Sequence, residues 1–144
     1  MDVPLYEGKS LGFDRILVNF SLKFKSLPPY PFSAIVDTGC PFTFISEDSL
    51  KGKRIPYSEL KTIDKSPVSL GFVKLDIREL GNYKIFFRDI NNQLIEFEHP
   101  IYVGVPLIKG HLLGKIPCFI GKDFIDKHKL SIITKEGKRF LCKE

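Results

Sequence analysis

The chain has 144 residues, 43% of them apolar, with eleven glycines, ten prolines and a net charge of +5. That length fits one domain, residues 1–144, which buries a substantial core without staples, and no apolar run approaches the ~20 residues of a membrane-spanning helix. The net charge resides entirely in residues 109–144, where lysines alternate with apolar residues as on a solvated face, so nucleic acid is not an expected partner.

The opening residues, Met1-Asp2-Val3-Pro4, show neither a basic nor an apolar leader pattern, so no signal peptide is expected. Residues 1–12 read as a loop or a short edge strand. From Ile16 to Phe24 the chain alternates, with Val18, Phe20, Leu22 and Phe24 on one face and Asn19, Ser21 and Lys23 on the other. That period of two predicts a half-buried strand. Leu27-Pro28-Pro29-Tyr30-Pro31 ends it, since each proline removes a ladder donor.

Phe32 to Val36 predicts the returning strand, which runs into Asp37-Thr38-Gly39-Cys40-Pro41 before Thr43-Phe44-Ile45-Ser46 resumes. Asp37 therefore stands where a buried strand becomes a turn. A carboxylate there needs hydrogen bonds, and Thr38 and the backbone at Gly39 can supply them. Ser46 reads as the cap of a helical turn over residues 46–50, with Glu47 and Asp48 in its first turn. Lys51 to Arg54 reads as a basic loop, and Tyr57 to Ile63 fits either a short helix or coil.

Ser66 to Lys74 predicts a hairpin turning at Gly71; Leu80-Gly81-Asn82-Tyr83 is a second candidate for such a turn. Strands follow at Tyr83–Arg88 and Leu94–Phe97, joined by Asp89-Ile90-Asn91-Asn92-Gln93. Pro100 is expected to interrupt, and Ile101-Tyr102-Val103 to resume. Pro106 to Gly114 reads as a loop. Phe119-Ile120 enters Gly121, Lys122 to His128 predicts a short helix, and Leu130–Thr134 with Arg139–Cys142 predicts a final hairpin. The sum is an all-β domain, a closed barrel or sandwich with one or two short helices.

The residues around Asp37 carry a resemblance. Two apolar residues, Asp37-Thr38-Gly39, the small Cys40, then Thr43-Phe44-Ile45-Ser46 resemble the active-site loop of retropepsin-like aspartic proteases. A bare Asp-Thr-Gly arises by chance in roughly 3 of 100 chains this long, so the flanks matter. Cys118-Phe119-Ile120-Gly121-Lys122-Asp123 resembles the family's apolar-apolar-Gly segment, which crosses beside that loop. The resemblance runs from about Ile16 to Ile133.

It implies an acid protease fold and an aspartic endopeptidase acting on polypeptide substrates without metal or organic cofactor. Asp37 would be the catalytic carboxylate, Thr38 would lock two such loops together, and Gly39 would line the floor through its backbone. Leu70, Gly71 and Phe72 would form the flap over the substrate, with Leu80-Gly81-Asn82-Tyr83 as the alternative flap. A single Asp-Thr-Gly supplies half a site, so the resemblance implies a homodimer, with Phe140-Leu141-Cys142 as a strand for pairing across it. Cys40 and Pro41 depart from the usual residues after Asp-Thr-Gly.

Beside these stand plainer readings. Asp123 reads as a structural cap at the start of the short helix. His99, His111 and His128 show no metal spacing and read as surface or loop residues. Cys40, Cys118 and Cys142 read as buried small hydrophobes, which points to a reducing, cytoplasmic setting. The alternative function on the same fold is a non-catalytic β-domain that binds a peptide or an anionic partner.

Overall fold

The alternation in the first predicted strand is realised: Val18, Phe20, Leu22 and Phe24 are buried and Asn19 is exposed. The computed structural model of the protein describes residues 1–10, 12–24, 28–50, 68–70, 73–107 and 116–143. These hold strands β1 (Asp2–Pro4), β2 (Tyr6–Ser10), β3 (Phe13–Lys23), β4 (Tyr30–Val36) and β5 (Phe44–Ser46), then helix α1 (Glu47–Leu50). There follow β6 (Val68–Leu70), β7 (Val73–Arg88), β8 (Leu94–Pro106), β9 (Cys118–Ile120), α2 (Lys122–Lys127), β10 (Leu130–Lys135) and β11 (Lys138–Lys143). No helix among the described residues is long and apolar enough to cross a membrane.

The main sheet runs β2-β3-β4-β9-β5-β8-β7-β6, and β3 pairs a second time, with β7. That extra pairing closes six strands, β3, β4, β9, β5, β8 and β7, into a ring. The expected all-β barrel is thus observed. Within the ring β4 and β9 run parallel, as do β5 and β8. The other pairings are antiparallel. A three-stranded sheet, β1-β11-β10, lies outside the ring.

The core divides in two. The larger cluster fills the barrel and includes Val18, Phe20, Leu22, Ile85, Phe87, Phe97 and Phe124. Phe97 meets Phe124 edge to face at 5.3 Å, and Phe20 stacks on Phe32 at 5.6 Å. A smaller cluster of Ile35, Cys40, Phe44, Leu75, Ile77 and Phe119, with Ile116, packs on the other face of β4 and β9. It stacks Phe44 on Phe119 at 5.1 Å.

Local signals mostly held. Ser46 Oγ accepts from the Ser49 amide at the start of α1, as a cap does. Glu136 and Gly137 both take positive φ, 52° and 78°, which is the two-residue turn that joins twisted strands well. Asp89 Oδ1 accepts from the amides of Asn91 and Gln93, each at 2.9 Å, and closes the β7–β8 turn.

Four expectations are corrected. Gly81 turns no hairpin: it lies inside β7, at a bulge between Glu79 and Gly81 that absorbs one residue while pairing with β8 continues. Pro100 does not break β8, because β5 reaches only Tyr102 to Gly104 and, among the described residues, that edge of β8 is unpaired at the proline. Phe140–Cys142 offers no free backbone edge, since β11 is bonded to β1 on one side and β10 on the other. His99 is no surface residue; it is 2% exposed. The Leu70–Val73 pairing joins β6 to β7, but Gly71 and Phe72 lie outside the described residues, as do Lys51 to Ile63 and His111.

Candidate active site

Asp37 follows β4 directly, and the parallel neighbour β9 holds it in place. The ladder Ala34–Cys118, Ile35–Phe119, Val36–Ile120 continues one step further, with the Asp37 amide donating to the Ile120 carbonyl at 3.0 Å. The carboxylate then organises its own turn. Asp37 Oδ1 accepts from the Gly39 amide at 2.8 Å, and the Asp37 carbonyl accepts from the Cys40 amide at 3.1 Å. Aspartate commonly nucleates a turn this way. Asp37 is half-buried, while Thr38 and Gly39 are exposed at the tip.

The chain leaves the tip through Cys40, which turns inward and is 1% exposed. Its Sγ donates to the Phe42 carbonyl at 3.3 Å. Burial pushes the thiol up to about 11, so it stays protonated and is no nucleophile at neutral pH.

Beneath the tip the two segments singled out from the sequence cross. The Lys122 amide donates to the Cys40 carbonyl at 2.7 Å, and the Gly121 amide donates to Thr43 Oγ1 at 3.0 Å. A Cβ on residue 121 would stand 2.5 Å from the Phe42 carbonyl oxygen and 2.6 Å from that of Cys40. Only glycine lets the backbones approach so closely.

Thr43 is 1% exposed and links onward. Its hydroxyl donates to Asp123 Oδ1 at 2.8 Å. Asp123 Oδ2 lies 3.0 Å from His99 Nε2, and His99 Nδ1 lies 3.0 Å from His128 Nε2. Burial works against charge on Asp123, yet the bonds from His99 and Thr43 outweigh it and hold the carboxyl below its ordinary value. Asp123 is thus structural, as expected, but it caps nothing: α2 has no side-chain cap. Sequence reasoning missed His99 and His128. One signal was available for the first, since the inward phase of β8 runs Phe97, His99, Ile101, Val103.

The structure therefore brings Asp37, Thr38 and Gly39 together at one exposed tip and sets the Gly121 segment under it. No group of three or more histidine, cysteine or acidic residues arranged to hold a metal occurs among the described residues. A crystal structure of a retropepsin-like aspartic protease from Rickettsia conorii is similar to this chain, with a TM-score of 0.50 and 13% identity over 88% of this chain and 80% of that one. The chain has a retropepsin-like fold. At that identity the likeness concerns the retropepsin-like fold alone, and no family model and no curated protein matches the sequence. Within the retropepsin-like barrel, Asp37 occupies the mouth of the parallel β4–β9 pair.

Proposed function

We propose that the chain, residues 1–144 as one domain, is an aspartic endopeptidase that hydrolyses polypeptides as a cytoplasmic homodimer. Support comes first from one observation: Asp37 is pinned by the Ile120 carbonyl and the Gly39 amide while its turn stands exposed. Such a tip can meet its own copy across a two-fold axis, which brings two Asp37 carboxylates together. Two like charges so close do not both ionise, so the pair holds one proton. The ionised carboxylate takes a proton from water as its oxygen attacks the scissile carbonyl carbon. The protonated one gives its proton to the carbonyl oxygen. Collapse of the tetrahedral intermediate breaks the C–N bond, and the amine leaves with a proton from the pair. Thr38, exposed beside Asp37, is assigned to hold the facing loop, and Gly39 to line the floor. Leu70, Gly71 and Phe72 are assigned to the flap, next to the Leu70–Val73 pairing of β6 and β7. No metal or organic cofactor enters these steps.

The second reading, a peptide- or anion-binding β-domain without catalysis, draws on a cavity of about 740 Å³ away from the tip. Phe20, Phe32, Phe86 and Arg88 help to line it, and Asp37, Thr38 and Gly39 do not. The test is a diverse peptide mixture at mildly acidic to neutral pH with wild type and Asp37→Asn. Asparagine keeps an acceptor for the Gly39 amide but cannot exchange a proton. Cleavage by wild type and none by a folded Asp37→Asn is expected. Equal turnover by both removes Asp37 from the chemistry, and binding without turnover by either favours the second reading.

A further inference from the structure

The chain Thr43–Asp123–His99–His128 runs from the loop crossing beneath Asp37 to the C-terminal end of α2, and nothing in the protease chemistry uses its two histidines. We propose that His99 and His128 are positioning residues of the site, forming with Asp123 a hydrogen-bond relay that holds Thr43, and through it the Gly121 crossing, in one geometry whether the relay carries no added proton or one. The proposal takes Asp37 as the acting carboxylate from the reading above; the hydrogen bonds themselves do not depend on it.

The argument is one of donors and acceptors. With both rings neutral, His128 Nε2–H donates to His99 Nδ1, and His99 Nε2–H donates to Asp123 Oδ2. Every contact is satisfied. Add one proton and His99 carries both N–H groups. It still donates to Asp123, and its Nδ1–H now donates to His128 Nε2, which becomes an acceptor by moving its own hydrogen to Nδ1. The heavy atoms stay where they are, at 3.0 Å and 3.0 Å. A second proton breaks the relay, because two N–H groups would then face each other across 3.0 Å.

The surroundings oppose a second proton. His99 is 2% exposed, and its ring packs on Phe124, while that of His128 packs on Phe97 and Phe124. From α2, Asp123 faces the pair with negative charge; Lys127 and, from β11, Lys143 oppose further positive charge. From β7, Tyr83 is the cross-strand partner of His99. Tyr102, on β8 with His99, feels the Asp123 charge, and its phenol is raised mainly by burial. Burial, then His99, Lys127 and Lys143, lowers His128 to about 4.

The experiment follows histidine side-chain and backbone amide resonances of wild type, His128→Gln and His128→Phe from neutral pH to about pH 3.5, where a histidine of ordinary value is fully charged. In wild type the rings should titrate as a coupled pair. The Gly121 and Asp37 amides should hold through the first proton and shift together with the second. Glutamine places an amide near Nε2 and does not titrate, so His128→Gln should keep the neutral-pH amide positions and move the acid transition by about one pH unit or more. His128→Phe keeps a ring but strands His99 Nδ1, and should displace both amides already at pH 7; if it does not fold, the glutamine variant carries the test. Rings that titrate independently, with both amides indifferent, overturn the proposal. Peptide cleavage on the same samples separates it from the reading of Asp37. Where wild type cleaves, His128→Gln should shift the acid limb of kcat with KM within about twofold; cleavage with uncoupled rings sinks the relay. Coupled rings in a protein that cleaves nothing sink the Asp37 reading and leave the relay standing.

Discussion

Thr43 and Asp123, eighty residues apart in the chain, share a 2.8 Å hydrogen bond between side chains. The same threonine oxygen accepts from the Gly121 amide. One hydroxyl therefore ties the segment after the Asp37 turn both to the backbone and to a side chain of the segment that crosses it.

Thr43→Val keeps the shape and removes the hydroxyl. The buried Gly121 amide then loses its partner, and Asp123 Oδ1 loses one of its donors. A stranded buried group costs about 1–3 kcal/mol, so the urea midpoint should fall accordingly. Thr43→Ser keeps the hydroxyl and should recover most of the loss. A valine variant as stable as wild type contradicts the assigned role.

Gly121→Ala meets two carbonyl oxygens head on, at 2.5 Å and 2.6 Å from the new Cβ. Backbone must move, and such crowding costs about 1–3 kcal/mol. Thermal unfolding measures the loss. An alanine variant with unchanged stability and unchanged amide resonances at Asp37 would mean the crossing is looser than described.

Stability should decline from neutral pH toward pH 4. An unfolded histidine takes its proton near the ordinary value of 6.5, whereas His128 in the folded chain is lowered to about 4. Between those values the unfolded chain binds more protons, so folding weakens as pH drops. Asp123, held below its ordinary value, adds to the loss at still lower pH, as the folded carboxylate takes up its proton. Urea unfolding at several pH values reads the slope, and His128→Gln should flatten its upper part. A flat profile in wild type would contradict the lowered His128.

Activity should require two chains. Specific activity should fall on dilution below the dimer dissociation constant. An equal amount of Asp37→Asn chains should roughly halve activity per wild-type chain through mixed dimers. Light scattering across the same dilution series supplies the mass. Full activity from a strict monomer would end the shared-proton mechanism.

Much of this fold was legible because its signals are local. The strict alternation from Val18 to Phe24 names its buried face, and Glu136-Gly137 names its turn. Gly121 was legible as a crossing point only through the resemblance of its segment to that of retropepsin-like proteases. Other features depend on partners distant in sequence. Pro100 looks like a break until the short reach of β5 leaves its edge free among the described residues. Gly81 looks like a turn until β8 pairs on both sides of the bulge. His99 and His128 carry no spacing signal, since a contact across 29 residues arises only when β8 and α2 pack.

The closed ring of six strands divides the site energetically. Strands β4 and β9, which carry Asp37 and Gly121, cannot separate without opening the barrel. Strand β6 pairs only with β7 among the described residues and lies outside the ring. Lifting β6 breaks three residue pairs, Val68–Leu75, Ser69–Lys74 and Leu70–Val73, and leaves the ring intact. On the reading proposed above, the groups assigned to the chemistry would share the cooperativity of the entire barrel, whereas β6 can open by a local excursion that leaves them in place.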